Sequence, residues 1–160
     1  MVETREDVPQ ATEERIVLPC PGSLMKLLVT GERTAGRFML AEVVERPGCR
    51  HPLHMHSRED ELIYVLEGEV RVHIDGRWIA CQAGEAIFLP RGREHTYAVV
   101  SHAARLLVLG VPAGLEGYYR ELGQPPARHC VYQDAERMVI VAARYGIDIT
   151  GPPPSPDSDS

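Results

Sequence analysis

The stretch "HPLHMHSREDE", His51–Glu61, decides how this chain is read. It sets three histidines and four charged residues between apolar runs. His54 and His56 are two apart, so on a strand their imidazoles share one face, roughly 6–7 Å apart along the chain. Two rings on one face suit a metal ion with a preference for nitrogen. "SRED" reads as a turn, and Glu61 opens the next strand. A hairpin return would bring its carboxylate beside the histidine pair, adding an oxygen ligand and cancelling one unit of metal charge. A fourth ligand has to come from farther away. "PRGREHTY" offers His95 at the start of a strand after a proline–glycine corner, with Tyr97 and Val99 on the same face. An HxH pair alone is unspecific, because many surface strands carry one.

Outward from this stretch the chain reads as short strands. "SLMKLLVT" and "RFMLAEVVE" flank the turn-like "GERTAG"; "ELIYVLEG" and "EVRVHID" follow. Asp75–Gly76 is a favoured two-residue hairpin turn leading into "RWIAC". "EAIFLP", "EHTYAVV" and "ARLLVLGVP" complete the series. Turn signals at roughly 8–12-residue spacing are those of an antiparallel sandwich or barrel. Toward the C-terminus the period changes. Leu115, Tyr118, Tyr119 and Leu122 fall at helical spacing, with Gly123 placed to end the helix. "DAERMVIVAARYG" reads as a second helix, N-capped by Asp134 and stopped at Gly146, with Met138, Val141, Ala142 and Tyr145 as its packing stripe. The expected organisation is a polar, disordered tail over residues 1–15 and one domain over 16–150. Within it a barrel spans about 22–111 and the helices about 113–146. A proline- and serine-rich disordered tail follows over 151–160.

Composition narrows the function. The apolar fraction of 44% and charged fraction of 25% are those of an ordinary globular protein. The net charge of −6, with no basic run, argues against nucleic acid as a partner. No apolar segment has the length to cross a bilayer, and the acidic N-terminus is not a signal peptide. Cys20, Cys49, Cys81 and Cys130 form no CxxC pair, so they read as buried or half-buried thiols in a reduced, cytoplasmic protein. Lys26 is the only lysine, which leaves little room for lysine chemistry.

The histidine positions also fit a longer pattern. Gly48, five residues, His54, one residue, His56, four residues, Glu61, six residues, Gly68 resembles the first cupin motif. Gly84, five residues, Pro90, one residue, Gly92, two residues, His95 resembles the second. Val99 stands where the second motif usually ends in asparagine, a position commonly not a ligand. The motifs span residues 48 to 95, and the whole is similar to small single-domain bacterial cupins of the quercetin-dioxygenase-like kind. The resemblance implies a double-stranded β-helix, a jelly-roll barrel. His54, His56, Glu61 and His95 would surround one divalent transition metal (Fe, Ni, Mn, Co or Zn). It also implies a homodimer, with apolar Leu62, Tyr64 and Leu66 on a barrel face needing cover. Gly48, Gly68, Gly84 and Gly92 would sit at corners needing positive φ or close approach.

By strand parity Ile63 and Val65 share the face of Glu61, and with Phe88, Tyr97 and Val99 they are the candidate substrate pocket. No lysine points inward, so an apolar or aromatic small molecule fits better than a phosphorylated one. Glu61, carried over from quercetinase-like relatives, is the candidate catalytic residue, both ligand and proton acceptor. His51 reads as a loop residue, Cys49 as uninvolved, and His73, His102 and His129 as solvated. Glu59 shares the parity of Glu61, but the motif selects Glu61. Three functions stay open: an oxygen-dependent dioxygenase of quercetinase type, a non-redox cyclase or isomerase of polyketide-like secondary metabolism, and a binding module without turnover. The helices are expected to cover part of one barrel mouth.

Overall fold

The computed structural model describes residues 14–18, 23–123 and 135–155. Half of the architecture follows from strict alternation. In the strand Met39–Glu45 (β3) the inward row is Met39, Ala41, Val43 and Glu45. In Ala104–Val111 (β10) it is Ala104, Leu106 and Val108, and in Asp60–Glu67 (β5) it is Glu61, Ile63 and Val65. β10 lies between β3 and β5, antiparallel to both. Glu14–Val17 (β1) and Leu24–Val29 (β2) extend the sheet beyond β3, and Ala86–Leu89 (β8) closes it beyond β5, giving the order β1-β2-β3-β10-β5-β8. β1 starts at Glu14, inside the stretch read as a tail; residues 1–13 lie outside the described ones.

The facing sheet holds Leu53–His56 (β4), Glu69–Ile74 (β6), Arg77–Gln82 (β7), His95–Val99 (β9) and Ile147–Gly151 (β11), in the order β11-β4-β9-β6-β7. The β6–β7 hairpin turns on Asp75 (φ 50°) and Gly76 (φ 76°), as the Asp-Gly dipeptide requires. The two antiparallel sheets enclose one apolar core in which Leu27, Met39, Ile63, Val65, Val70 and Leu106 are fully buried. This is the double-stranded β-helix expected from the motifs. Its motif glycines take positive φ, at 77° for Gly48, 83° for Gly68, 90° for Gly84 and 73° for Gly92. Gly68 is doubly constrained, because a Cβ there would sit 2.1 Å from the Ala103 carbonyl oxygen.

Short helices complete the chain. "GERT" forms a single helical turn, Gly31–Thr34 (α1), ended by left-handed Ala35. Leu115–Leu122 (α2) buries Leu115 and Leu122, and its Glu116 carboxylate accepts hydrogen bonds from the Gly31 amide (2.7 Å) and the Gly114 amide (2.9 Å). Ala135–Arg144 (α3) buries Met138, Val141 and Ala142; its expected N-cap, Asp134, lies outside the described residues, as do Cys20, His129 and Cys130. β11 follows α3 and pairs with β4, setting Ile147 opposite His56 and Ile149 opposite His54. No helix among the described residues is long and apolar enough to cross a membrane.

One sequence expectation fails here. Cys49 is disulfide-bonded and not a free thiol, while Cys81 is free and buried. Spacing alone could not reveal a long-range pairing. Disulfides are uncommon in reducing compartments, so the cysteines do not support the cytoplasmic expectation.

Candidate metal centre

The four motif residues converge between the sheets. His54 and His56 come from β4, His95 from β9 directly opposite His54, and Glu61 from the first inward position of β5. One ligand atom from each lies within 4.8 Å of every other. Glu61 Oε2 is 3.2 Å from His95 Nε2 and 3.4 Å from His56 Nε2. The three rings pack edge-on or stacked, with centroids 4.6–5.2 Å apart. His56, His95 and Glu61 are buried, and His54 partly so.

Ring orientation is fixed from behind. His54 Nδ1 donates to the Pro52 carbonyl at 2.8 Å, and His95 Nδ1 donates to the Arg93 carbonyl at 2.8 Å. With the proton held on Nδ1, the Nε2 lone pair is directed into the cluster, the arrangement metal-binding imidazoles use. His56 lacks such a tether. Among the described residues neither of its buried nitrogens has a hydrogen-bond partner, and Nδ1 lies 3.8 Å from Glu59 Oε2, which likewise has none. A buried imidazole nitrogen left unpaired carries a desolvation cost that a cation in the cluster would offset. Three imidazoles and a carboxylate form a donor set suited to a divalent transition ion. These residues are able to hold a metal.

Electrostatics agree. Burial, followed by repulsion from His95 and His56, lowers His54 to about 3, so it is neutral as a ligand must be. Burial opposes the charge on Glu61, but the facing His56 and His95 imidazoles hold its carboxyl well below the usual range. His95 is likewise opposed by burial but raised by Glu61.

The substrate-pocket expectation needs correction. Two adjoining hollows reach the cluster and share Leu18, His51, His54 and Tyr119. Tyr97 lines one of them. Ile63, Val65 and Val99 are instead packed into the core and line neither. Phe88 faces outward and is 56% exposed. Its β8 position pairs with Leu62 on the outer face, while Ile87 pairs with inward Ile63. Tyr118, Tyr119 and Leu122 from α2 and Met138 from α3 wall one hollow beside His51, His54 and His56.

The sequence reading also missed two residues. Glu45 is fully buried and His51 reaches it, Nε2 to Oε1 at 2.7 Å. The signal for Glu45 was present, since it has the parity of Met39, Ala41 and Val43. His73, read as solvated, is half-buried against Trp78, with ring centroids 5.0 Å apart.

Residues 41–111 match the family model of the cupin domain, Cupin_2, and the chain belongs to the cupin superfamily. It is 28% identical over 106 residues to quercetin 2,3-dioxygenase of Bacillus subtilis, a match covering 66% of this chain and 32% of that protein. It is 35% identical over 78 residues to the polyketide synthase protein CurC of Streptomyces cyaneus, covering 48% and 49%. The chain thus spans half or less of these curated relatives. Among solved structures, the polyketide cyclase RemF from Streptomyces resistomycificus is 31% identical, with a TM-score of 0.54 over 68% of this chain and 80% of RemF.

Proposed function

We propose that this protein is a metal-dependent enzyme acting on a small, apolar or aromatic, enolisable substrate, with His54, His56, Glu61 and His95 holding one divalent transition ion. The observation that carries this is the convergence of four ligand atoms within 4.8 Å, with the Nδ1 atoms of His54 and His95 tied to backbone carbonyls. When bound, such an ion supplies Lewis-acid polarisation of a substrate oxygen. The chain contributes the rest. Leu18, Tyr118, Tyr119, Leu122 and Met138 form an apolar wall that excludes water, and the α2 and α3 residues in that wall cover the hollow. Glu61, the one carboxylate of the four-residue cluster, is the proton acceptor.

Two chemistries use such a site. A non-redox cyclisation of a polyketide-like substrate is favoured by the RemF likeness, which spans most of both chains, and by CurC. Oxygen-dependent ring opening of quercetinase type is favoured by the relative matched over 66% of this chain. Elemental analysis of purified protein, coupled to an oxygen electrode across flavonols and polyketide-like enols, tests the proposal. Turnover without oxygen uptake supports the cyclase, and substrate-dependent oxygen uptake supports the dioxygenase. A protein that retains no metal after reconstitution, or turns over unaffected by chelator, overturns both.

A homodimer belongs to the same proposal. Tyr64 and Phe88 are exposed on the outer face of β5 and β8, and sedimentation should give twice the chain mass.

A further inference from the structure

Glu45 and His51 take no part in the four-ligand cluster, yet they line the same hollow as His54, Glu61 and His95. Glu45 occupies the last inward position of β3 and is fully buried. Its Oε1 accepts from the Tyr97 hydroxyl at 3.0 Å and from His51 Nε2 at 2.7 Å, while its Oε2 is buried with no hydrogen-bond partner among the described residues. A buried carboxylate oxygen left unpaired bears its whole desolvation cost, unless something entering the hollow donates to it.

The backbone that leads into His51 is held on several sides. The His51 carbonyl accepts from Thr96 Oγ1 at 2.7 Å, the Val99 amide donates to the Cys49 carbonyl at 3.3 Å, and Arg50 bridges to Ala98. The ring packs on Tyr97 with centroids 4.7 Å apart. Burial opposes a charge on His51, but the charge of Glu45 and its hydrogen bond outweigh burial and raise the imidazole above its ordinary value. The surrounding wall is apolar, with Leu18, Met25, Val43 and Val108.

We propose that Glu45 and His51 form a second functional pair in this hollow, one that binds and deprotonates an acidic hydroxyl on an apolar or aromatic substrate. Glu45 Oε2 accepts the hydrogen bond of one ligand hydroxyl, which keeps its proton. His51 takes the proton of a second, acidic ligand hydroxyl on Nδ1, the nitrogen not engaged by Glu45. The O–H bond of that second hydroxyl breaks, its electron pair stays on oxygen, an N–H bond forms, and Glu45 balances the imidazolium. The same proton returns when product oxygen is reprotonated, so no oxidant or reductant is consumed. The pair makes His51 a general base whose partner orients it, as in other carboxylate–imidazole pairs.

This rests on the reading of the protein as a metal-dependent enzyme of enolisable substrates, and the test separates the two. The probe is 4-nitrocatechol, an acidic aromatic diol whose visible spectrum reports its ionisation. It is titrated into zinc-loaded wild type, His51→Gln and Glu45→Gln, with zinc content measured on each sample. Wild type is expected to bind the probe with its acidic hydroxyl ionised. Both variants should keep their zinc yet bind at least about tenfold more weakly, with the spectrum shifted toward the protonated form. Unchanged affinity and spectrum in both variants, or no probe binding by zinc-loaded wild type, overturns the pair's role. If wild type takes up no zinc, the metal-enzyme reading falls. The metal-free proteins then decide, with the same tenfold gap upholding the pair and its absence overturning it. If His51→Gln does not fold, Glu45→Gln, which keeps the shape and one donor to the hollow, carries the test.

Discussion

The inward positions of the barrel divide into a polar set and an apolar set, and β5 carries both. β3, β5 and β9 bury Glu45, Glu61 and His95, while β10, β5 and β6 bury Leu106, Val65 and Val70. Along β5 the change takes two residues, from Glu61 to Ile63, without leaving the inward face. Buried ionisable groups raise the cost of folding and the apolar set does not, so the polar set points to a role other than packing.

That contrast can be attacked from either side. Replacing His95 with Ala should lower zinc or nickel affinity by roughly a thousandfold or more in calorimetric titration, while the thermal midpoint of the metal-free protein falls little. Leu106→Ala in the apolar set should do the reverse, costing about 2–5 kcal/mol in denaturant unfolding while surviving folded protein binds metal with near wild-type affinity. Equal loss of stability and of metal binding in both variants would erase the distinction between the two sets. Gly68→Ala should lower stability by about 2 kcal/mol or more, because both its φ of 83° and the nearby Ala103 carbonyl oppose a Cβ.

Smaller effects sharpen the picture inside the polar set. Glu59 lies behind His56, as backbone carbonyls lie behind His54 and His95, so Glu59→Gln should weaken metal binding by about 10–100-fold without removing a ligand. The pH dependence has a definite sign. Glu61 raises His95 above the ordinary imidazole value, and metal must displace that proton. Affinity should therefore fall as pH drops through the raised value and flatten above it. A flat profile across that range would show that His95 does not bind the ion.

The barrel was legible because its rules are local. Alternation in "RFMLAEVVE" and "ELIYVLEG", the Asp75–Gly76 turn and the motif glycines each specify backbone geometry within a few residues. The four-residue cluster was legible for a different reason, since fixed spacing across two motifs carried it. What escaped depends on contacts distant in sequence. His51 is a loop residue, as read, but its contact with Glu45 went unread because Glu45 sits on a distant strand, although the parity of Glu45 placed it inward. Phe88 was assigned to the cavity because "EAIFLP" leaves the parity of a four-residue edge strand open, and only pairing with Leu62 and Ile63 decides it. β11 was missed because "IDITG" follows a helix and precedes a proline run, with no partner visible in the sequence.

That last strand has a practical consequence. β11 is hydrogen-bonded along β4, the segment that carries His54 and His56, and α3 feeds directly into it. Strain applied to the C-terminal segment, whether by a fused tag, a proteolytic nick or a shift of α3, is transmitted through backbone hydrogen bonds to two donor atoms of the cluster. Shortening the chain before Ile147 would leave β4 as a bare sheet edge, open to pairing with another molecule and free to let both imidazoles drift.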